Sequence, residues 1–178
     1  VDTPANEAAF GKHQQGARAC GFPKVRLVVL AENGSHAALA LQLGPYHAGE
    51  TTLAPPVVAQ LQPDMLCLAD RNFASYDLLT QARARGAAVV WRVRNDRQLP
   101  VVQRLADGSY LSRLRPGHRR GPPLPVRVIE YTVTTQTPAG APVTELYRLV
   151  TTLLDPRRAP ASDFPPLYHG RWVIETTL

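Results

Sequence analysis

Cysteine is scarce: the chain has two, Cys20 and Cys67, 47 positions apart and without a Cys-x-x-Cys neighbour. That spacing excludes a disulfide framework and a thiolate zinc site. No apolar run is long enough to span a bilayer and no signal-peptide pattern occurs, so a reduced, intracellular protein with no membrane partner is expected. Lysine is almost missing as well, with Lys12 and Lys24 the only two among 20 basic residues. The basic character rests on Arg, whose planar fork fits phosphate oxygens. Set against 14 acidic residues it gives a formal charge of +6, a balance that suits an anionic partner such as nucleic acid; an Arg-, Ala- and Pro-rich composition is equally what a GC-rich genome produces. No Walker loop, Gly-x-Ser-x-Gly or His-Glu-x-x-His motif is present. His36, His47 and His169 lack metal-ligand spacing and read as structural or surface residues, and the sequon at Asn33-Gly34-Ser35 reads as a turn.

What is present is the composition of a soluble globular domain, 178 residues that are 44% hydrophobic and 19% charged, a length that fits one domain with room for an insertion. Residues 1–23 show little periodicity and read as an irregular lead-in. "VRLVVLAENGSHAALALQL" (25–43) predicts two antiparallel strands around Asn33-Gly34. After Gly44-Pro45, Thr51 or Thr52 is the expected N-cap of a short helix reaching about Leu61. "DMLCLAD" (64–70) predicts a central strand buried on both faces, and "FASYDLLTQARARG" a helix capped by Ser75 and stopped by Gly86. "AAVVWRVR" (87–94) is the next strand, with Trp91 in the core and Arg92 and Arg94 exposed. The order from 24 to 95 is therefore α/β with a hairpin at its start. Strand pairs around Asp107-Gly108 and Pro138-Ala139-Gly140 make 96–159 a β-rich insertion, and Ser162 or Asp163 caps a terminal helix over 160–178. The first residue is Val and the last helix has no cap, so both ends read as cuts in a longer protein.

Asp70 ends a buried strand, where open α/β sheets bind ligands; it serves equally as the cap or turn residue for Arg71-Asn72. On the terminal helix Tyr168, Arg171 and Glu175 fall within about 60° of one another. Leu167, Ile174 and Leu178 form the adjoining apolar stripe expected to pack on the sheet. An amphipathic helix with an ordinary Arg-Glu pair has the same pattern. Arg113, Arg115, His118, Arg119 and Arg120 form a Pro/Gly-rich basic loop that tracks a DNA backbone or is simply solvated. Glu50 and Asp155 read as cap or turn residues.

Taken together, "LADRNF" (68–73), the β-rich stretch and Tyr168-x2-Arg171-x3-Glu175 resemble the DDE transposases of the insertion-sequence-4 group. The resemblance extends to "GPYHAGE" and "LPVVQRLADGSYLSRL" and covers nearly the whole chain. It implies an α/β fold with a ribonuclease H-like mixed sheet and flanking helices, interrupted by an all-β insertion, and DNA cleavage and strand transfer with two Mg²⁺ ions. Asp70 and Glu175 match two of three metal carboxylates, and Tyr168 and Arg171 match DNA-contacting positions. Arg113, Arg115, Arg119 and Arg120 are further DNA-binding candidates. The implied partners are transposon-end and target DNA, bound by a homodimer, in the bacterial cytoplasm and at the nucleoid.

The chain departs from the family pattern at both ends. The family's first Asp ends a first core strand that nothing before Lys24 supplies, Asp2 resembling the loop after it, and the signature Lys falls beyond Leu178. The first core strand and the end of the last helix are thus expected to be missing, and this chain alone is expected not to cleave or join DNA. The alternatives are a non-catalytic DNA-binding remnant and a ribonuclease H-like nuclease.

Overall fold

The computed structural model describes residues 2–15, 18–117 and 121–172. Two compact units divide the chain, Val1–Gln60 and Leu61–Leu178.

The first unit is more ordered than an irregular lead-in. Helix α1 (Pro4–Phe10) starts on Thr3, whose hydroxyl accepts from Asn6 N at 3.2 Å, with Pro in its first turn where a missing N–H costs nothing. Strands β1 (His13–Gln15) and β2 (Arg18–Cys20) pair antiparallel. Asp2 is spent on a surface ion pair, 2.8 Å from Lys12 Nζ. The hairpin of β3 (Val25–Ala31) and β4 (Ala38–Pro45) forms as expected, but Asn33-Gly34 sits in a longer turn than a two-residue one, in which Glu32 Oε1 accepts from Gly34 N at 2.8 Å. Helix α2 (Glu50–Val58) begins two or three residues earlier than Thr51 or Thr52 would set it, with Gly49 at the N-cap, and carries Pro55 and Pro56 inside it. Glu50 lies in its first turn and pairs with Arg26 at 3.2 Å.

The second unit is a six-stranded mixed sheet in the order β5-β6-β10-β9-β8-β7. Its strands are β5 (Leu66–Ala69), β6 (Ala88–Arg92), β7 (Gln103–Arg104), β8 (Tyr110–Leu114), β9 (Leu124–Gln136) and β10 (Pro142–Thr151). Only β5 and β6 are parallel, joined by α3 (Tyr76–Ala84). Ser75 caps α3 through Leu78 N at 3.2 Å, and Leu78, Leu79 and Ala82 are buried on it. One expectation is corrected here. β5 is an edge strand with partly exposed residues, because its four residues pair with β6 alone in this sheet. Leu149, Val150 and Thr151 of β10 pair with Arg92, Trp91 and Val90 of β6, so the β-rich stretch shares the sheet of β5 and β6.

Gly86 turns α3 into β6 at φ 79°, with the place of a Cβ only 3.2 Å from Pro63 Cβ. Gly86→Ala should therefore cost about 1–2 kcal/mol in chemical denaturation, from left-handed backbone strain plus that clash.

On one face of the sheet Val90, Ile129 and Leu149 form a core with Phe164 and Tyr168 of the last helix, α4 (Phe164–His169). A 3-10 turn over Ala161–Asp163 leads into α4, and Asp163 stands at its N-cap without a capping hydrogen bond from its side chain. The docking face differs from the expected stripe. Leu167 is 39% exposed whereas Phe164 and Tyr168 are each 1% exposed, and Ile174 and Leu178 lie outside the described residues. The i,i+4 aromatic pair buries more apolar area than Leu167 offers, and so it sets the rotation of the helix.

Beside this core Arg127 on β9 is fully buried. Its Nε donates to Ser109 Oγ at 2.8 Å, its Nη1 to Ala159 O at 2.6 Å and Leu153 O at 3.4 Å, and its Nη2 to the Asp107 carboxylate. Asp107, read from the sequence as a turn residue, also accepts from Ala161 N at 2.9 Å and from the Ser109 hydroxyl at 2.6 Å.

Candidate active site

Asp70 directly follows β5, at the C-terminal end of the parallel pair, and is partly exposed. Its Oδ1 accepts from Arg71 N at 2.6 Å and its carbonyl accepts from Phe73 N at 3.0 Å. The carboxylate thus organises its own turn, as the turn reading requires, while standing where open α/β sheets hold ligands.

Tyr168 is brought to this strand end, although not as a surface residue. Its ring lies in the core, 6.5 Å edge-on from Tyr147, and its hydroxyl donates to Ala69 O at 3.3 Å, one residue before Asp70. Burial pushes its phenol up to about 12, so the hydroxyl keeps its proton at neutral pH. At 1% exposure what it touches is the backbone of the Asp70 strand. Arg171 stacks its guanidinium 5.3 Å from the Tyr168 ring centre and 4.7 Å from that of Trp172. Glu175 lies outside the described residues.

The basic loop is only partly described. Arg113 belongs to β8 rather than to a loop and is exposed, Arg115 follows that strand and is exposed, and Arg119 and Arg120 lie outside the described residues with His118. β8 is four strands from β5 in the sheet order, about 19 Å at ~4.8 Å per strand. Arg113 and Arg115 are therefore not neighbours of Asp70.

A closer set of arginines escaped the sequence reading. Arg71, Asn72, Arg94 and Asn95 line a depression of about 500 Å³ with Arg92 and Glu145, and Arg97 borders an adjoining one with Arg71 and Arg94. Arg94 pairs with Asp96 at 2.9 Å, but both side chains are mostly exposed, so the pair is weak and the guanidinium can exchange its partner. The loop beneath is held from β10: Arg148 Nη1 donates to the carbonyls of Asn95 and Arg97, each at 3.1 Å. Arg92, expected to be exposed, is buried, stacked 3.8 Å over the Tyr147 ring and paired with Glu145. The usable signal was the run "RVRNDR" directly after a buried strand, where a sheet ends and ligand sites begin. Trp91 is 1% exposed, in the core as expected.

The chain matches the transposase DDE-domain family over residues 2–178. It belongs to that family. The transposase domain is 28% identical over 178 residues to the transposase InsG for insertion sequence element IS4 of Escherichia coli strain K12, covering 98% of this chain and 39% of that protein. It is 36% identical over 70 residues to the putative transposase InsZ of the same organism, covering 39% of this chain and 23% of that protein. The domain thus spans well under half the length of these relatives.

The family uses divalent metal ions. A hard-oxygen carboxylate at Asp70 fits such an ion by donor chemistry. Among the described residues no group of three or more His, Cys, Asp and Glu side chains could hold one. Among the described residues, too, no helix is long and apolar enough to cross a membrane.

Proposed function

We propose that this transposase domain is a catalytic domain that cuts and rejoins DNA at transposon ends, with Asp70 and Glu175 as metal ligands. The observation carrying this reading is the position of Asp70, at the C-terminal end of a parallel strand and directly before Arg71, which lines a depression with Arg94, in a chain matched over 2–178 by the transposase family. In this reading the ions are Mg²⁺, which takes carboxylate oxygens. When bound, two such ions would activate a water or a DNA 3′-hydroxyl and stabilise the leaving oxygen.

The chain's own residues bind and orient. Asp70 holds its carboxylate still through the Arg71 amide; Tyr168, through Ala69, fixes the strand end that carries it. Arg94, Arg97 and Arg71 present guanidinium groups to the DNA backbone, and Arg148 keeps the loop bearing two of them rigid. Arg113 and Arg115, with Arg119, Arg120 and Arg171, extend the DNA surface away from the metal. The succession hairpin, helix, parallel strand, helix, strand supports a ribonuclease H-like core with 96–159 as its β-rich addition. A homodimer acting on DNA in the cytoplasm at the nucleoid completes the reading.

The test is DNA binding across a salt series in the full-length protein. Arg94→Ala and Arg97→Ala should each weaken binding to end and unrelated sequences alike and lower the salt slope by about one. Unchanged slopes in both variants would remove the depression from the DNA interface.

A further inference from the structure

We infer that Glu130 and Tyr110 are positioning residues for the turn that carries Arg94 and Arg97, acting on it through Arg148; the inference rests on the reading of that turn as a DNA contact. A relay of side chains crosses three strands. Glu130 of β9 stands directly opposite Arg148 of β10, and Tyr110 of β8 pairs with Val128, two residues before Glu130 and on the same face. The Tyr110 hydroxyl donates to Glu130 Oε1 at 3.1 Å, and Arg148 Nε donates to the same oxygen at 2.6 Å. Arg148 Nη1 in turn donates to the carbonyls of Asn95 and Arg97, each at 3.1 Å.

Each link has a physical reason. Tyr110 is buried, and its phenol is pushed up to about 12, first by burial and then by Glu130, so the hydroxyl keeps its proton and donates at neutral pH. At the other end the turn closes on itself, Arg97 N donating to Arg94 O at 3.1 Å. It is tied again to β10 by Val93 N on Arg148 O at 2.9 Å and by Asn95 Nδ2 on Leu146 O at 3.2 Å. The Asn95 and Arg97 carbonyls converge on one nitrogen, and their dipoles repel each other unless a positive charge lies between them. Arg148 supplies that charge. Glu130 fixes the plane of its guanidinium, because a charge-assisted bond to Nε orients the whole fork. Both side chains of the pair are partly exposed, so it contributes modestly to stability. Its larger effect is on where the turn, and with it Arg94 and Arg97, stands. The β-rich stretch thereby acquires a task, since β8, β9 and β10 each supply one member of the relay.

The sign of the effect separates positioning from long-range electrostatics. Glu130 is an anion, and removing an anion from a DNA-binding protein ordinarily strengthens binding; positioning predicts the reverse. The experiment measures binding of a transposon-end duplex by the full-length protein in EDTA at one salt concentration, with thermal unfolding alongside. Glu130→Ala should weaken binding about fivefold and Tyr110→Phe about threefold, as phosphate contacts lose their geometry. Glu130→Gln, which still accepts from both donors, should recover part of the loss. Melting temperatures should fall by less than about 4 °C. In a protein already carrying Arg94→Ala and Arg97→Ala, Glu130→Ala should change binding by less than about twofold, because the groups it positions are gone. Unchanged or tighter binding by folded Glu130→Ala would overturn the inference. So would a fivefold loss that persists without Arg94 and Arg97, since that marks a general structural support. If Glu130→Ala does not fold, Tyr110→Phe, which removes one hydroxyl and no charge, decides by the same cycle. Arg94→Ala and Arg97→Ala by themselves separate the two readings. If neither alters DNA binding, the turn is no DNA contact and both readings fail; if they weaken it while Glu130→Ala does not, the positioning inference alone fails.

Discussion

Asp70→Ala in the full-length protein should lower metal-dependent DNA cleavage by about 10³-fold or more, and Glu175→Ala should do the same, with end binding in EDTA retained. In the proposed reading each removes a charged oxygen ligand of the metal, and losing one preorganised electrostatic group at a reacting centre already costs about 10²–10³. Asp70→Asn separates chemistry from turn formation. Asn still accepts the Arg71 N–H that Asp70 accepts at 2.6 Å, so the turn survives while the negative charge is gone. Single-turnover cleavage should be as poor in Asp70→Asn as in Asp70→Ala; recovery in the Asn variant would assign Asp70 to the turn.

Phe164→Ala should destabilise the chain by about 3–5 kcal/mol, measured by urea denaturation. The ring is 1% exposed and packs with Val90, Ile129, Leu149 and Tyr168, so truncation leaves a cavity where α4 meets the sheet. Such a loss is a large part of the roughly 5–15 kcal/mol that holds a domain folded. A cost below about 1 kcal/mol would mean that α4 is not anchored by this face. Leu167→Ala, at a residue 39% exposed, is the contrasting variant and should cost well under that of Phe164→Ala.

Elements governed by local chemistry were legible in the sequence. Ser75 as cap of α3, the hairpin around Asn33-Gly34 and the turn at Asp107-Gly108 each depend on a few adjacent residues and appear where the signals put them. Thr3-Pro4 carries the same kind of signal for α1, a capping hydroxyl followed by a proline at the first helical position, in a stretch that otherwise lacks periodicity. Features that depend on distant partners were not legible. Arg92 is buried because Glu145 and Tyr147, more than 50 positions later, neutralise and cover it. Asp70 and the signature residues of the last helix stood out through their resemblance to a known family. The helical spacing of Tyr168, Arg171 and Glu175 gives their relative angles but not which edge meets the sheet, so Tyr168 read as a polar contact when its ring is core and its hydroxyl holds Ala69. Arg127 gave no signal at all, since nothing in "LPVRVIEY" separates a buried guanidinium from a solvated one.

The measurement that bears most directly on the central claim is a strand-transfer assay. The full-length protein is incubated with a transposon end bearing a free 3′-hydroxyl, a target duplex and Mg²⁺. End DNA covalently joined to target, at a level that falls by about 10³-fold in both Asp70→Ala and Asp70→Asn, is the expected result. Joining that persists undiminished in those variants, or hydrolytic nicking with no joined product from the unaltered protein, would contradict it.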